Sequence, residues 1–508
     1  MRPTLPQAPA GRGARPRGPA RSLCVGELAA RLAGESLQDW ICRGLREAML
    51  DGQLRSGMAI PSTRQLAARL GVARGTVIRA CDELVAQGYL VARRGAAMRV
   101  APQLPERWLH AAPPRTPEVA ARPALPRVWT PFASPPARAF APHRCETREL
   151  PFDVLRRIHS RLLRRSNAWF GSDAPVGGLP ALRRAIAAYL GEARGVVVDA
   201  EQVIVVSSVQ QALDLAVRVL TRPGDPVWLE DPGYAGHRRV VEVGGREPAF
   251  VPVDAQGIDV AAGIAAAPVA RLACVTPCRQ SPLGVPLSLP RRAALIAWAR
   301  ASGAVVFEDD YDSEFRFASR PVRPLAAEAP DVAILAGSFS KLLYPGLRIA
   351  YLVAPRGWAE AFGAFASIVA RQPNQLAQEA LAAFVDEGHL HRHVRRMRRL
   401  YAERAEAFAD LARRHWHGLL ELPALQAGLD VTARLALPLE DAEAARRLRE
   451  AGVESIPMSA YRGRVAMPPA LVLGFGALRP EEMLAAAPQV ARALQPRPGA
   501  ARSAAQAR

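Results

Sequence analysis

At 508 residues the chain is longer than one hydrophobic core usually organises, so at least two domains are expected. Half the residues are hydrophobic, but the longest uncharged runs fall short of the roughly 18 to 20 apolar residues a membrane span requires, which points to a soluble, cytoplasmic chain with no membrane partner. The formal net charge of +20 suits a solvated surface as well as attraction to a polyanion such as DNA, and excludes neither.

The chain opens with a Pro/Gly/Arg-rich arm, residues 1–35, which lacks the apolar run of a secretion signal and reads as disordered. Residues 36–101 follow as a separate unit. SLQDWICRGLREAMLDGQL is an amphipathic helix closing at Gly52, with Leu37, Ile41, Leu45 and Met49 at helical spacing. In IPSTRQLAARLGVARGTVIRACDELVAQGYLVARRG, a helix capped by Ser62 turns Leu66 and Leu70 inward, breaks at Gly71, and gives way to a second helix and a hairpin. The second helix turns Val77, Cys81 and Leu84 inward and Arg74, Thr76 and Arg79 outward, as in a helix-turn-helix that reads the major groove. Arg64, in the helix before it, would meet phosphate. Any short helical hairpin with surface arginines offers the same arginine pattern. The segment as a whole, however, resembles the winged helix of GntR-type regulators, which implies a double-stranded DNA operator and adds Arg93 and Arg94 of the wing to the contacts. The wing departs from that family's usual Gly-Ser-Gly-Thr-like tip, reading AAMR after Gly95.

Residues 102–149 carry many prolines and arginines without periodicity and read as a semi-extended linker, long enough to let domains exchange between subunits. From 150 to 494, short apolar runs alternate with amphipathic helices, and 495–508 read as a disordered tail. Val203–Val206, Val227–Leu229, Leu272–Val275, Val305–Phe307 and Val332–Leu335 are expected to be buried strands, separated by helices such as Gln210–Leu220 and Arg291–Arg300. This predicts an α/β unit with a mostly parallel sheet, whose ligands bind beyond the strand C-termini.

Four motifs fall at those strand ends. In VIVVSSVQQALDLAV a strand runs through Ser207 and Ser208 into a helix whose first amides would suit a phosphate, although many capped helices begin with serine. VVFEDDYDSEF packs five carboxylates into residues 308–314, which a magnesium site or a solvated acidic turn would also explain. LEDPGYAGHRR offers Tyr234 as an aromatic face after a strand. AILAGSFSKLLYPGLR contains Lys341, and here composition speaks: of 67 basic residues, 66 are arginine and Lys341 is the single lysine. Arginine replaces lysine in surface charge and in most phosphate contacts but cannot form an imine with an aldehyde, so a lone lysine is expected to be chemically required. The six cysteines form no CxxC or Cys/His spacing, so no metal site is expected and a reducing compartment fits best.

Together these motifs resemble the fold-type I aminotransferases, and specifically the MocR/GabR-type subfamily of GntR transcriptional regulators, in which a winged helix-turn-helix precedes an aminotransferase-like domain with a large parallel-sheet part and a smaller C-terminal subdomain. GGLPALRRAIAAYL, VTPCRQSPLGVPLSL and GHLHRHVRRMRRLYAERAEAF extend the match, which runs from Ser36 to about Leu494. The resemblance implies pyridoxal 5′-phosphate as cofactor. Lys341 would form the Schiff base, Asp309 would pair with the pyridine nitrogen, Tyr311 would hydrogen-bond the ring hydroxyl, and Tyr234 would stack on the ring. Ser207, Ser208, Val209, Gln210, Ser338, Ser340 and Arg348 would surround the phosphate.

Departures from the family pattern are informative. Ser208 stands where glycine is usual, Arg279 where histidine is frequent, and Phe170 where an aromatic hydroxyl commonly reaches the neighbouring subunit's phosphate. Val472, in ALVLGFGAL, matches the arginine that holds a substrate carboxylate in aminotransferases. The expectation is a domain-swapped homodimeric, PLP-dependent transcriptional regulator whose large domain senses PLP or an amino-compound effector and alters DNA affinity by linkage, with at most weak transaminase activity. The alternative is an active aminotransferase with an accessory DNA-binding domain.

Overall fold

The structure is a computed structural model that describes residues 28–93, 96–105, 138–164, 175–317, 322–369 and 371–495. It divides into two compact units, Met1–Ala124 and Leu125–Arg508.

In the first unit, α1 (Leu37–Leu50) begins where Ser36 Oγ accepts from the Asp39 amide at 3.1 Å, and α2 (Thr63–Leu70) begins at a capping box between Ser62 and Gln65. Gly71, at φ 65°, closes α2 in the left-handed conformation that favours glycine, and α3 (Arg74–Ala86) follows. Ile41, Leu45, Leu66, Val77, Cys81 and Leu84 form the buried core. Leu37, although in step with that stripe, lies on the first turn of α1 and is 40% exposed. Strands β1 (Leu90–Val91) and β2 (Arg99–Val100) pair antiparallel to make the wing.

The second unit holds an eight-stranded sheet of order β3-β10-β9-β8-β7-β4-β5-β6. Its strands are β3 (Val203–Val206), β4 (Pro226–Asp231), β5 (Glu247–Asp254), β6 (Gly257–Ile258), β7 (Leu272–Val275), β8 (Val305–Asp310), β9 (Ala333–Ser338) and β10 (Ala350–Val353). β5, β4, β7, β8 and β9 pair in parallel, whereas β10 is antiparallel to both β9 and β3. Two antiparallel steps restore direction, so β3 points the same way as β9 and its C-terminal end lies on the same edge.

Side chains alternate between the faces of this sheet. Val203, Val205, Trp228, Val275 and Leu335 enter one core, and Ile204, Val206, Leu229, Cys274 and Ile334 enter another. Helices α4 (Phe152–Arg164) and α5 (Pro180–Arg194) contribute to the first core, and α6 (Val209–Leu220) and α7 (Ala235–Val243) to the second. α8 (Leu289–Ser302) also packs on the first face, and α9 (Phe339–Leu342) is a short turn of helix after β9. With both faces covered, the central strands read as continuous apolar runs, which is why they were visible in the sequence.

After α10 (Gln375–Asp386), the 27-residue α11 (His389–His415) sets Leu390, Met397 and Tyr401 in the first core and Phe408 and Leu411 in a third. That third core lies against a four-stranded sheet, β11-β12-β14-β13, made of Leu420–Glu421, Asp430–Leu435, Ile456–Pro457 (β13) and Ala470–Gly474 (β14). α12 (Asp441–Glu450) and α13 (Pro480–Leu494) complete it. Phe140 belongs here too, its ring 5.8 Å from Phe408 and 5.4 Å from Trp416. Residues 138–149, read from sequence as the end of the linker, are thus packed; a lone aromatic in a Pro/Arg-rich run carries no periodic signal of burial.

Candidate functional site

The C-terminal ends of β3, β4, β7, β8 and β9 share one edge, and each leads into a loop bearing polar side chains. Asp309, near the end of β8, is buried, with Oδ2 at 2.9 Å from His237 Nε2 of α7. Its Oδ1 is also buried and meets no donor among the described residues. An oxygen left so costs about 1 to 3 kcal/mol unless something supplies the missing hydrogen bond. Tyr234, immediately before α7, stands edge-on to His237 with ring centres 5.3 Å apart. Gly236 makes that placement possible, because a Cβ there would collide with the Tyr234 ring and crowd the side-chain amide of Gln210. Burial and the Asp309 charge push the Tyr234 phenol up to about 12, so it remains protonated at neutral pH.

Lys341 follows β9 on α9, its Nζ 4.2 Å from the centre of the Tyr311 ring. Just before it, Ser338 Oγ accepts from the Ser340 amide at 3.1 Å. At the start of α6, Ser208 Oγ accepts from the Gln211 amide at 3.1 Å and Ser207 Oγ donates to Gln211 Oε1 at 2.7 Å. The Ser208 and Ser338 hydroxyls therefore act as caps, Ser207 is held by the Gln211 side chain, and the amides of Val209 and Gln210 are the ones a helix start leaves for a ligand. Arg348 is exposed and held at φ 51°. The described residues connect Tyr234, His237 and Asp309 in one chain of contacts, beside Gly236 and Gln210, and Lys341, Tyr311 and Arg279 in another, and the Asp309 charge reaches the Tyr311 hydroxyl.

The five carboxylates of 308–314 do not gather round one cation. Glu308 accepts from the Leu325 amide at 2.7 Å, Asp310 pairs with Arg194 at 2.8 Å, and Asp312 pairs with Arg279 at 3.0 Å. Burial pushes Glu308 up to about 8 despite Arg292 and Arg194. Arg279 is buried and saturated: besides Asp312 it donates to Asp430 Oδ1 at 3.0 Å and to the Tyr311 hydroxyl at 2.9 Å, while Tyr311 donates back to the Arg279 carbonyl. Burial tends to raise the Asp430 carboxyl, but His143, with Nδ1 at 2.7 Å, and Arg279 outweigh it and hold Asp430 well below the usual range. Asp312 lacks the His143 contact; there burial prevails over Arg279 and the carboxyl is raised.

Gly428, at φ 87°, lies against this guanidinium, where a Cβ would overlap Arg279 Cζ. Gly428→Ala is expected to cost at least about 1 to 3 kcal/mol from backbone strain alone and to lower the melting temperature. A calorimetric midpoint equal to that of the unsubstituted protein would show that the loop yields freely.

Val472 sits in β14 opposite Thr432 and Ile456 and is buried with Met458, Tyr461 and Ala470. Sequence reasoning missed His237, Asp430 and His143. His237 had a local signal, three residues beyond Tyr234; Asp430, 151 residues from Arg279, had none. Phe170 lies outside the described residues.

In the first unit Arg64, Arg74, Arg79 and Arg93 are exposed and Thr76 is half-buried, while Arg94 lies outside the described residues. α3 starts at Ala73 without a side-chain cap, so its first amides are open to water or a phosphate.

Comparison with known proteins agrees with both units. Residues 37–100 match the bacterial regulatory proteins of the gntR family, and residues 151–472 match aminotransferase class I and II. The probable rhizopine catabolism regulatory protein MocR of Rhizobium meliloti is 35% identical over 455 residues, covering 86% of this chain and 90% of that protein. The HTH-type pyridoxine biosynthesis transcriptional regulator PdxR of Corynebacterium glutamicum is 34% identical, covering 74% of this chain and 78% of its own. Among solved structures, the α-aminoadipate aminotransferase LysN of Thermus thermophilus, complexed with N-(5′-phosphopyridoxyl)-L-leucine, superposes with a TM-score of 0.64 at 27% identity, covering 70% of this chain and 91% of that one.

Proposed function

We infer the function from one premise: the chain belongs to the MocR/GabR-type subfamily of GntR regulators, a winged helix-turn-helix fused to a fold-type I aminotransferase-like domain. It is a DNA-binding transcriptional regulator. Beyond that, we propose that its large unit holds pyridoxal 5′-phosphate and works as a sensor.

The observation that carries the cofactor reading is the buried Oδ1 of Asp309, which meets no donor among the described residues while His237 engages Oδ2. A protonated pyridine nitrogen is the donor this oxygen fits. When bound, the cofactor supplies an aldehyde that combines with amines and a ring that withdraws electrons from them. In this reading Lys341 holds the aldehyde carbon, Tyr234 offers its face to the ring and Tyr311 its hydroxyl to the ring oxygen. The Val209 and Gln210 amides, with Ser207, Ser208, Ser338, Ser340 and Arg348, receive the phosphate. The sensed ligand is PLP itself or an amino compound that competes with Lys341 for the aldehyde.

A homodimer is favoured by large apolar side chains left exposed in the second unit, among them Phe152, Leu163 and Ile368. No helix among the described residues is long and apolar enough to cross a membrane, and we place the protein in the cytoplasm with its DNA.

Sensing is tested by titrating DNA at several concentrations of PLP and of candidate amines: coupling should change apparent affinity by roughly 5- to 150-fold, and no change with any of them would remove the sensor reading. Base reading is tested by substitution. Arg64→Ala should weaken specific and random duplexes alike, whereas Arg79→Ala should cost about 1 to 3 kcal/mol chiefly at the preferred site. Equal losses for both variants on both DNAs would reduce Arg79 to a phosphate contact.

A further inference from the structure

α4 and the start of α11 both pack against α10 and are tied to each other by two ion pairs. Arg396 of α11 pairs with Glu149, just ahead of α4, at 3.2 Å. Near the far end of α4, Arg161 pairs with Glu387, just ahead of α11, whose carbonyl also accepts from Arg392 at 2.9 Å. The helices are therefore antiparallel, and the two ion pairs engage Glu149 and Glu387. Around the seam, Arg157 and Arg164 of α4 and Arg395 and Arg399 of α11 are exposed, and their side chains have no ion pair or hydrogen bond among the described residues. Seven guanidiniums thus border this seam, where Glu149 and Glu387 are engaged and Asp386, beside Glu387, is exposed. Asp153 is paired with Arg156, Glu192 lies by His391, and Glu403, one turn past Arg399, ends the basic stretch.

On α12, by contrast, neighbouring arginines are matched locally: Arg446 and Arg447 both bind Glu443. On the paired helices the opposite holds, with like charges four residues apart at Arg395 and Arg399 and at Arg157 and Arg161, an arrangement that weakens a helix by a few tenths of a kcal/mol per pair. Such a surface fits a polyanion. Arg157 and Arg164 are separated by about 10 Å of helix rise, and phosphates follow one another about every 3.4 Å of axis on each strand, so the two helices span several phosphates.

We propose that this face of the large unit binds the sugar–phosphate backbone of duplex DNA, as a second contact beyond the winged helix. The proposal rests on DNA being the partner of the winged helix, and the test separates the two. Full-length, cofactor-loaded protein is titrated by fluorescence anisotropy with random-sequence duplexes of about 20 bp, two half-sites long, and about three times that length, over a range of salt. The quadruple variant R157Q/R164Q/R395Q/R399Q should bind the short duplex as the unsubstituted protein does. On the long one its log K versus log salt slope should be shallower by up to about 4 per protomer, at about 0.9 per lost phosphate contact. Lysine at the same four positions should restore the slope, because a phosphate contact needs charge rather than a guanidinium. An unchanged slope on the long duplex overturns the proposal, as does failure of lysine to rescue it or an equal loss on the short duplex. Loss of binding to phosphatidylserine vesicles with DNA binding intact would assign the face to a membrane and also overturn it. If the unsubstituted protein binds neither duplex, the winged-helix reading itself falls.

Discussion

Lys341→Arg is expected to yield a folded, colourless protein that cannot be tagged by borohydride in the presence of PLP. Arginine keeps the positive charge over the Tyr311 ring, so the fold of the apo protein should be little affected, but a guanidinium does not join an aldehyde. Because Lys341 is the single lysine, no other side-chain amine can substitute for it, and the chain's own α-amino group is distinguished by peptide mapping. The unsubstituted protein should gain stability on adding the cofactor, by about 2.7 kcal/mol at a hundred times its dissociation constant; the variant should keep only the part contributed by phosphate and ring contacts. A visible absorption band in Lys341→Arg, or a reduced pyridoxyl group mapped to one of its side chains, would sink the assignment.

Ordinary α-amino acids are expected to turn over more slowly than about 1 per second, below the common enzyme range. A transaminase must hold the substrate carboxylate so that the Cα–H bond stands perpendicular to the cofactor ring, and a bidentate arginine does this well. Val472 offers no charge and is buried among Met458, Tyr461 and Ala470. Arg279 is no substitute, because its guanidinium is already taken by Asp312, Asp430 and Tyr311, and freeing it would leave buried Asp312 without its cation and Asp430 with His143 alone. Arg462 is exposed and would have to swing inward. Steady-state and stopped-flow screens over the proteinogenic amino acids, γ-aminobutyrate and taurine with common keto acids measure this directly. Turnover of about 1 per second or more, within the ordinary enzyme range, would favour the aminotransferase alternative over the regulator.

The two units differ in how far their sequences expose them. The first is built from local signals: Ser62 with Gln65, Gly71 between two helices, and apolar residues at helical spacing, each interpretable within a few residues. In the second, β7 and β3 were legible because both faces of the sheet are covered and their residues are uniformly apolar. β5, whose Glu247, Pro252 and Asp254 are exposed, and the short β11 and β13 were not, since partly solvated or two-residue strands leave too little pattern.

The same division runs through the site. Lys341 stood out by composition alone, because in a chain whose other basic side chains are all arginine a single lysine is expected where an amine is needed. Asp309 could be named as the acid but not distinguished physically from its four acidic neighbours, since what separates them is their partners: His237 for one, Arg194, Arg279 or backbone amides for others. The sequence by itself therefore determined a DNA-binding head and a mostly parallel sheet, and singled out Lys341, all by local pattern or residue type. Only the tertiary structure decided that Asp309 keeps one oxygen without a donor among the described residues, that Arg279 is closed off by Asp312 and Asp430, and that α4 and α11 pool their arginines, because each depends on side chains that chain folding, not chain order, brings into contact.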